Sequence, residues 1–173
     1  MEQLNGGGKV QDLFQEMVEV YGDRVYRLIL RYTGDRFRAE DLTQETFLRA
    51  YKHLDRFDRE KPAGPWLFKI AANLCRNWQR GIRELPVEDI KALDTLPDSN
   101  PEQACLDKES EAELRRALKE MPLMYMEVLL LKHVGELSYA EIAETLELEL
   151  SLVKNRLYRG RIMLREKLER EGR

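Results

Sequence analysis

Between residues 151 and 161 the chain sets Ser151, Lys154, Asn155, Arg156, Tyr158, Arg159 and Arg161 within eleven positions. These residue types suit the surface of duplex DNA. Lys and Arg donate to guanine O6 and N7 or to phosphate oxygens, Asn can pair with an adenine edge, and Tyr can pack on a thymine methyl. Val153 and Leu157 stand four apart. If the segment is helical they share one face, anchor it inward and turn Lys154, Asn155, Tyr158 and Arg159 outward. The residues just before supply a seat. Ser138-Tyr-Ala-Glu141 fits a capping box, with the Ser138 hydroxyl accepting from the amide three residues on and Glu141 reaching back. The helix it starts buries Ile142, Ala143 and Leu146, and Ala143 is small where a second helix would cross. Glu147 to Leu150 reads as the turn, and Ser151 as the cap of the next helix. Two short helices with a basic second member form a unit that can enter the major groove. A basic helix face alone is usually only solvated. Here the capping box, the small residue, the short turn and the lopsided charge occur together.

A second constellation lies on a helix expected from about Ala39. Glu40, Asp41, Gln44, Glu45 and Arg49 share its polar side, opposite Leu42, Thr46, Phe47, Ala50, Tyr51 and Leu54. Asp41 and Glu45, four apart, could imitate the paired carboxylates of an enzyme. No His or Cys ligand spacing and no glycine-rich phosphate cradle accompany them, so the reading is of a non-enzyme needing no cofactor. His53, His133, Cys75 and Cys105 are dispersed, which argues against a zinc site and a disulfide framework; the thiols read as structural or incidental.

A third set is Lys61, Trp66, Lys69, Asn73, Arg76 and Arg80. The last five sit on a helix expected from about Trp66 to Arg80, whose inward stripe is Leu67, Ile70, Ala71, Leu74 and Trp78. Residues 66–83 contain Lys69, Arg76, Arg80 and Arg83 and no acid. Basic grooves hold single strands, and Trp66 is placed either to stack on a base or to pack in the core.

These sets need helices to present them. Leu13, Phe14, Met17, Val18 and Tyr21, then Val25, Leu28, Ile29 and Tyr32, recur at helical spacing until Thr33-Gly34-Asp35 breaks the pattern. Gly6, Gly7 and Gly8 read as a flexible lead-in. Asp58 to Pro65 reads as a loop. From Gly81 to Pro101 periodicity fades, and residues 84–113 carry ten acids against Lys91 and Lys108. Helical pattern returns near Glu109, with Leu114, Ala117, Leu118 and Met121, then Val128 to Leu131 before Gly135. The expected fold is all-α: two small helical domains, 10–83 and 109–170, joined by an extended acidic linker over 84–108. The formal net charge of −3 hides two basic segments flanking an acidic one, and nucleic-acid affinity follows the local field. With no apolar run of spanning length and no signal-like start, the expected compartment is the cytoplasm, without membrane insertion.

Four segments together resemble one family. Asp41-Leu-Thr-Gln-Glu-Thr-Phe-Leu-Arg-Ala-Tyr51 is similar to the region 2 signature of extracytoplasmic-function sigma factors. Trp66-Leu-Phe-Lys-Ile-Ala-Ala-Asn-Leu-Cys-Arg76 resembles the promoter-contacting helix that follows. Leu137-Ser-Tyr-Ala-Glu-Ile-Ala-Glu-Thr-Leu146 and Val153-Lys-Asn-Arg-Leu-Tyr-Arg-Gly-Arg161 resemble region 4. The resemblance covers about 10–83 and 109–168. It implies a transcription initiation factor that binds RNA polymerase core and directs it to −35/−10 promoters under an anti-sigma factor. Asp41, Gln44, Glu45 and Arg49 would then meet the β′ clamp. Lys61, Trp66, Lys69, Asn73, Arg76 and Arg80 would hold the −10 element. Ser151, Lys154, Asn155, Arg156, Tyr158, Arg159 and Arg161 would hold the −35 element, with Lys154 and Tyr158 nearest the bases and Arg156 and Arg161 on the backbone. Region 4 would also bind the β-flap, the linker would thread towards the RNA exit path, and the chain would act as a monomer in the holoenzyme. Glu147 stands where the family usually carries glycine, Ser151-Leu152 replaces Gly-Thr, Ala63-Gly64-Pro65 departs from the usual residues, and Met124 and Met126 occupy positions often basic. The competing reading is an ordinary helix-turn-helix repressor or activator. It would account for 138–161, would usually need a dimer on two half-sites, and would leave 41–51 without a purpose.

Overall fold

The computed structural model describes residues 6–83 and 105–171. Seven α-helices make up the described chain: α1 (Gly6–Thr33), α2 (Arg36–Lys52), α3 (Ala63–Arg83), α4 (Cys105–Lys119), α5 (Leu123–His133), α6 (Tyr139–Leu146) and α7 (Leu150–Glu171). One 3-10 turn, Leu54–Arg56, follows α2, and no strand occurs among the described residues. The all-α expectation holds. Most of the segment expected as an acidic linker lies outside the described residues.

Helices α1, α2 and α3 pack on one another, and α4, α5 and α6 surround α7. In the first module Val25, Leu28 and Ile29 of α1 meet Phe47 and Ala50 of α2 and Leu67, Phe68 and Ala71 of α3. Aromatic edges lock this core: Phe14 meets Phe47 and Tyr51 edge-on, at centroid separations of 6.3 and 5.0 Å, and Tyr21 meets Phe68 at 6.4 Å. In the second module Val128, Leu131, Ile142, Val153 and Leu157 are almost fully buried. The two apolar sets form one continuous cluster. The modules therefore touch directly, through α3 against α6 and α1 against α4 and α5.

The helix ends differ from the expected ones in ways the backbone explains. The first helix starts at Gly6 rather than after the glycines. It propagates backward from the packed residues that begin at Val10, at about 1 kcal/mol per glycine relative to alanine. Asp35 caps α2 by accepting from the Arg38 amide at 3.0 Å, so that helix begins three residues before Ala39. Gly34 holds the turn between α1 and α2 with φ of 69°, which glycine adopts without strain. Helix α3 begins inside the expected loop, at Ala63. Pro65 falls in its first turn, where no amide hydrogen is demanded. Gly64 is buried there; a Cβ on it would come within 3.0 Å of the Tyr21 ring. Helix α4 starts at Cys105, four residues before the expected 109.

Candidate nucleic-acid and polymerase interfaces

The helix-turn-helix is built from its caps inward. The Glu141 amide donates to the Ser138 Oγ at 3.2 Å, and the Ser138 amide donates to the Glu141 carboxylate at 2.7 Å, so the capping box forms in both directions. Helix α6 ends at Glu147, whose backbone is left-handed at φ 56°, ψ 47°. That conformation suits the glycine usual at this position and strains a glutamate. The turn is one residue shorter than expected. The Glu149 carbonyl accepts from the amides of Leu152 and Val153, α7 begins at Leu150, and Ser151 lies in its first turn instead of capping it.

Val153 and Leu157 are buried as the spacing requires. Gly160, one turn further, is buried too: a Cβ there would meet the Leu129 side chain at 3.3 Å and Tyr125 at 3.4 Å. This close crossing of α7 over α5 goes beyond the expected contacts, although a glycine in register with Val153 and Leu157 is its signature. With that face fixed, Ser151, Lys154, Asn155, Tyr158 and Arg159 all face solvent. Tyr158 is 68% exposed, unusual for so large an aromatic ring. Arg161 is exposed and donates to the Tyr139 hydroxyl at 3.4 Å, which ties α7 to α6. Arg156 sits apart from the others. It is half-buried, and its Nε is sealed from solvent without an acceptor. Behind α7 an open apolar groove of about 440 Å³ runs between Leu129 and His133 of α5 and Arg161, Leu164 and Leu168. Burial, then the charges of Arg161 and Lys132, lowers the pKa of His133.

The polar side of α2 is also presented. Asp41 and Gln44 are exposed, and Glu45 and Arg49 pair with each other at 2.6 Å, one turn apart. Leu48, on the same side, is 47% exposed and adds an apolar element that the alternation of types does not single out. Opposite, Thr46 is fully buried and bonds the Leu42 carbonyl at 2.6 Å. The two methionines part ways: Met126 joins the core and Met124 is exposed.

The six residues of the third set divide. Arg80 is exposed, and Trp66 is partly buried against Phe57, with centroids 4.9 Å apart. Three of the other four, Lys61, Lys69 and Arg76, meet carboxylates of the second module, and Asn73 is tied to Arg76. Lys61 lies 3.7 Å from Glu144, and Lys69 pairs with Glu147 at 2.6 Å. Arg76 donates through Nε and Nη2 to the two oxygens of Glu127, at 2.6 and 3.3 Å, and through Nη1 to Asn73 at 3.2 Å. Glu127 is buried and also accepts from the Tyr32 hydroxyl at 2.8 Å. Burial pulls the Arg76 pKa down, but the hydrogen bond and charge of Glu127 outweigh it and the net shift is upward. Burial, with Glu127 nearby, likewise pushes Tyr32 well above its ordinary value and the buried Cys75 thiol up to about 12. The sequence carries no sign of these partnerships. Glu127 stands inside an apolar run, and it meets Arg76 and Tyr32 from 51 and 95 residues away.

No helix is long and apolar enough to cross a membrane, and no three potential metal ligands gather among the described residues. The family profile for Sigma-70 region 2 matches residues 17–84, and that for Sigma-70 region 4 matches residues 111–164. The ECF RNA polymerase sigma factor SigW of Bacillus subtilis is 34% identical over 168 residues, covering 91% of this chain and 90% of that one. The ECF RNA polymerase sigma-E factor of Haemophilus influenzae is 30% identical over 179 residues, covering 98% and 93%. Among solved structures, CnrH in complex with the cytosolic domain of CnrY gives a TM-score of 0.72 at 23% identity, covering 92% of this chain and 89% of that chain. The sigma factor RpoE of Bartonella quintana, in complex with the anti-sigma factor NepR, gives 0.71 at 24% identity, covering 92% and 98%. These two likenesses carry the fold, and the sequence relationships carry the rest: the chain belongs to the ECF RNA polymerase sigma factors of the sigma-70 family.

Proposed function

We propose that this sigma factor divides its work among three surfaces. The polar side of α2, with Asp41, Gln44, Glu45 and Arg49, meets the β′ clamp of core polymerase. Helix α7 enters the major groove at −35, with Lys154, Asn155, Tyr158 and Arg159 towards the bases and Ser151 and Arg161 towards phosphates. The start of α3 and the loop before it hold the −10 strand: Lys61, Lys69, Arg76 and Arg80 on phosphates, Asn73 on a base edge, Trp66 beside them. The observation that carries this reading is the presentation of α7. Val153, Leu157 and Gly160 fix one face, and four base-reading or phosphate-binding side chains stand on the opposite face with no partner among the described residues. Arg156 fits a structural place better than a DNA contact, because its Nε points into the protein.

The mechanism is positional, and no catalytic group is required of the chain. Docking of α7 on duplex DNA sets the register, since phosphate contacts position and base contacts specify. Core polymerase held on α2 then brings the −10 element to α3, where a basic surface takes up the unpaired strand. The apolar groove behind α7, lined by Leu129, Leu164 and Leu168, supports contact with the β-flap. The chain works in the cytoplasm as a monomer in the holoenzyme. An anti-sigma factor restrains it, a reading supported by the likeness to RpoE of Bartonella quintana, which is held in complex with the anti-sigma factor NepR. The test is transcription in vitro with core polymerase and a library of genomic promoters. Core-dependent initiation at a set of promoters sharing −35 and −10 elements is the expected result. Duplex binding as a dimer without core polymerase, and no initiation with it, would return the chain to the ordinary regulators.

A further inference from the structure

The first turn of α7 is apolar where the rest of its outward face is polar. Leu150 and Leu152 flank Ser151 there and are 41% and 39% exposed, whereas Leu148, on the turn before them, packs against the core. The Leu152 amide donates to the Glu149 carbonyl at 3.0 Å, so its backbone is fixed in the helix. Val153 and Leu157 define the inward side. At about 100° per residue, Leu152 then stands in line with Asn155, three residues on, and Arg159, seven on, along one edge of the exposed face. Leu150 falls on the other edge, one turn before Lys154. Side chains of a helix lean towards its N-terminus, so Leu152 leads the strip of residues turned to DNA. In a helix-turn-helix the N-terminal residues of the second helix are the ones that meet base edges. Leu152 also stands where the family usually carries threonine. A threonine hydroxyl can donate to a phosphate oxygen, and a leucine cannot. A single exposed leucine is ordinary on a protein surface, but this one lies where bases must pass. The major groove offers one apolar feature, the C5-methyl of thymine. Opposite a G·C pair the leucine would cover the cytosine amine or the guanine O6 and N7 and return no hydrogen bond for the water it displaced.

We propose that Leu152 is a specificity-determining residue of −35 recognition: it packs on the C5-methyl of one thymine, beside the base pair that Asn155 reads, and excludes G·C there. The assignment rests on the −35 reading of α7 given above and narrows it. Leu152 brings neither charge nor hydrogen bond, so its contribution does not depend on salt as phosphate contacts do. Tyr158, six residues on, lies about 9 Å further along the helix axis and meets a different base pair.

The experiment uses holoenzyme, the full chain with core polymerase, on promoter duplexes carrying the −35 sequence selected from a randomised library. Each thymine of that element is replaced in turn by deoxyuridine, which removes the methyl and leaves the hydrogen-bonding edge unchanged. Wild type should lose affinity about threefold to fivefold at one thymine, the worth of one buried methyl, and by the same factor at low and high salt. Leu152→Ser should bind the two duplexes alike at that position and keep any sensitivity owed to Tyr158 at another. Leu152→Met, apolar and of similar volume, should retain the discrimination. Leu150→Ser removes an equally exposed leucine from the same turn and should retain it as well. Sensitivity that survives Leu152→Ser, or that Leu150→Ser removes just as fully, would overturn the assignment, and so would a wild type indifferent to every exchange. Scrambling the whole −35 element separates the two levels. If scrambling leaves wild-type binding unchanged, α7 does not read −35 and the assignment falls with that reading. If scrambling abolishes binding and no exchange depends on Leu152, the leucine assignment alone fails.

Discussion

Removing the Glu127 carboxylate should uncouple the two modules before it unfolds either. One buried side chain takes the Tyr32 hydroxyl at 2.8 Å and two guanidinium nitrogens of Arg76 at 2.6 and 3.3 Å. Breaking a buried ion pair from one side costs about 3–5 kcal/mol, because the remaining charge is stranded. The Arg76 side chain keeps 29% of its surface in solvent and can turn outward. Tyr32 cannot do so as readily, and its hydroxyl would stay buried without an acceptor, at about 1–3 kcal/mol. Glu127→Ala should therefore lose about 3 kcal/mol, at the low end of the buried-pair range. Glu127→Gln keeps an acceptor for Tyr32 and loses only the charge, so about 1–2 kcal/mol should go. The loss has a ceiling. Once it equals the free energy of docking, the modules part, water reaches Tyr32 and Arg76, and no further stability is lost. The assay follows from where the tryptophans are. Trp66 and Trp78 both lie on α3, so fluorescence reports the first module alone while circular dichroism reports every helix. In urea the wild-type transitions should coincide by the two probes, and in Glu127→Ala they should separate. Coincident transitions in Glu127→Ala with a loss under about 0.5 kcal/mol, the range of an ordinary surface change, would refute the role given to this residue.

Other perturbations bear on the remaining surfaces. Gln44→Ala with Glu45→Ala should weaken core polymerase binding by about 1–3 kcal/mol per desolvated contact without lowering the urea midpoint appreciably, read by titration of labelled core. On a randomised −35 library at two salt concentrations, Lys154→Ala should cost about 1–3 kcal/mol at the preferred sequence and relax one position. Arg161→Ala should instead weaken all sequences alike and lower the salt slope by about one. Cys75, buried and pushed up to about 12, should react with a thiol reagent only as fast as the protein unfolds, so its rate should rise with urea. Acid should weaken the pair of Lys69 with Glu147. The Lys69 hydrogen bond and charge hold Glu147 below the ordinary carboxylate range, so its contribution is full above that range and is lost as pH falls through the depressed value. The stability difference between wild type and Glu147→Gln should accordingly shrink on acidification, measured by urea midpoints at successive pH values.

Local features of this chain were legible because local physics makes them. The capping box at Ser138 and Glu141 is a four-residue pattern, and it forms with both hydrogen bonds. The burial of Val153 and Leu157, and the exposure of Asp41 and Gln44, follow from helical spacing alone. Helix starts were less legible. Asp35 and Glu149 begin their helices by accepting from amides three or four residues on, and α3 starts at Ala63 ahead of Pro65, none of which composition ranks. Contacts between modules left no periodic trace. Lys69 and Glu147 are 78 residues apart, and Arg24 and Glu136 are 112 apart. In a one-dimensional reading each was one more charge on a solvated face. Glu147 gave the nearest thing to a signal, as a glutamate where the family usually carries glycine, and the structure shows both what that position costs and what its side chain reaches.

A net charge of −3 is an odd property for a chain that must hold DNA on two surfaces. Screening confines the interaction of exposed charges to about 8–10 Å at physiological salt, so what a DNA strand meets is the local set. On α7 that set is outward and uncompensated among the described residues: Lys154 and Arg159 meet no acid. On α3 it is compensated within hydrogen-bond reach by Glu127 and Glu147. Two cationic surfaces of similar composition thus stand in opposite states in the free chain. The difference lies in whether the backbone of the second module places a carboxylate opposite. At Glu136 and Glu147 it does so in a conformation that an ordinary side chain avoids. The Leu137 and Leu148 amides, which donate to the Leu131 and Ala143 carbonyls, fix that backbone locally, and the side chain it carries then meets Arg24 or Lys69 across the boundary.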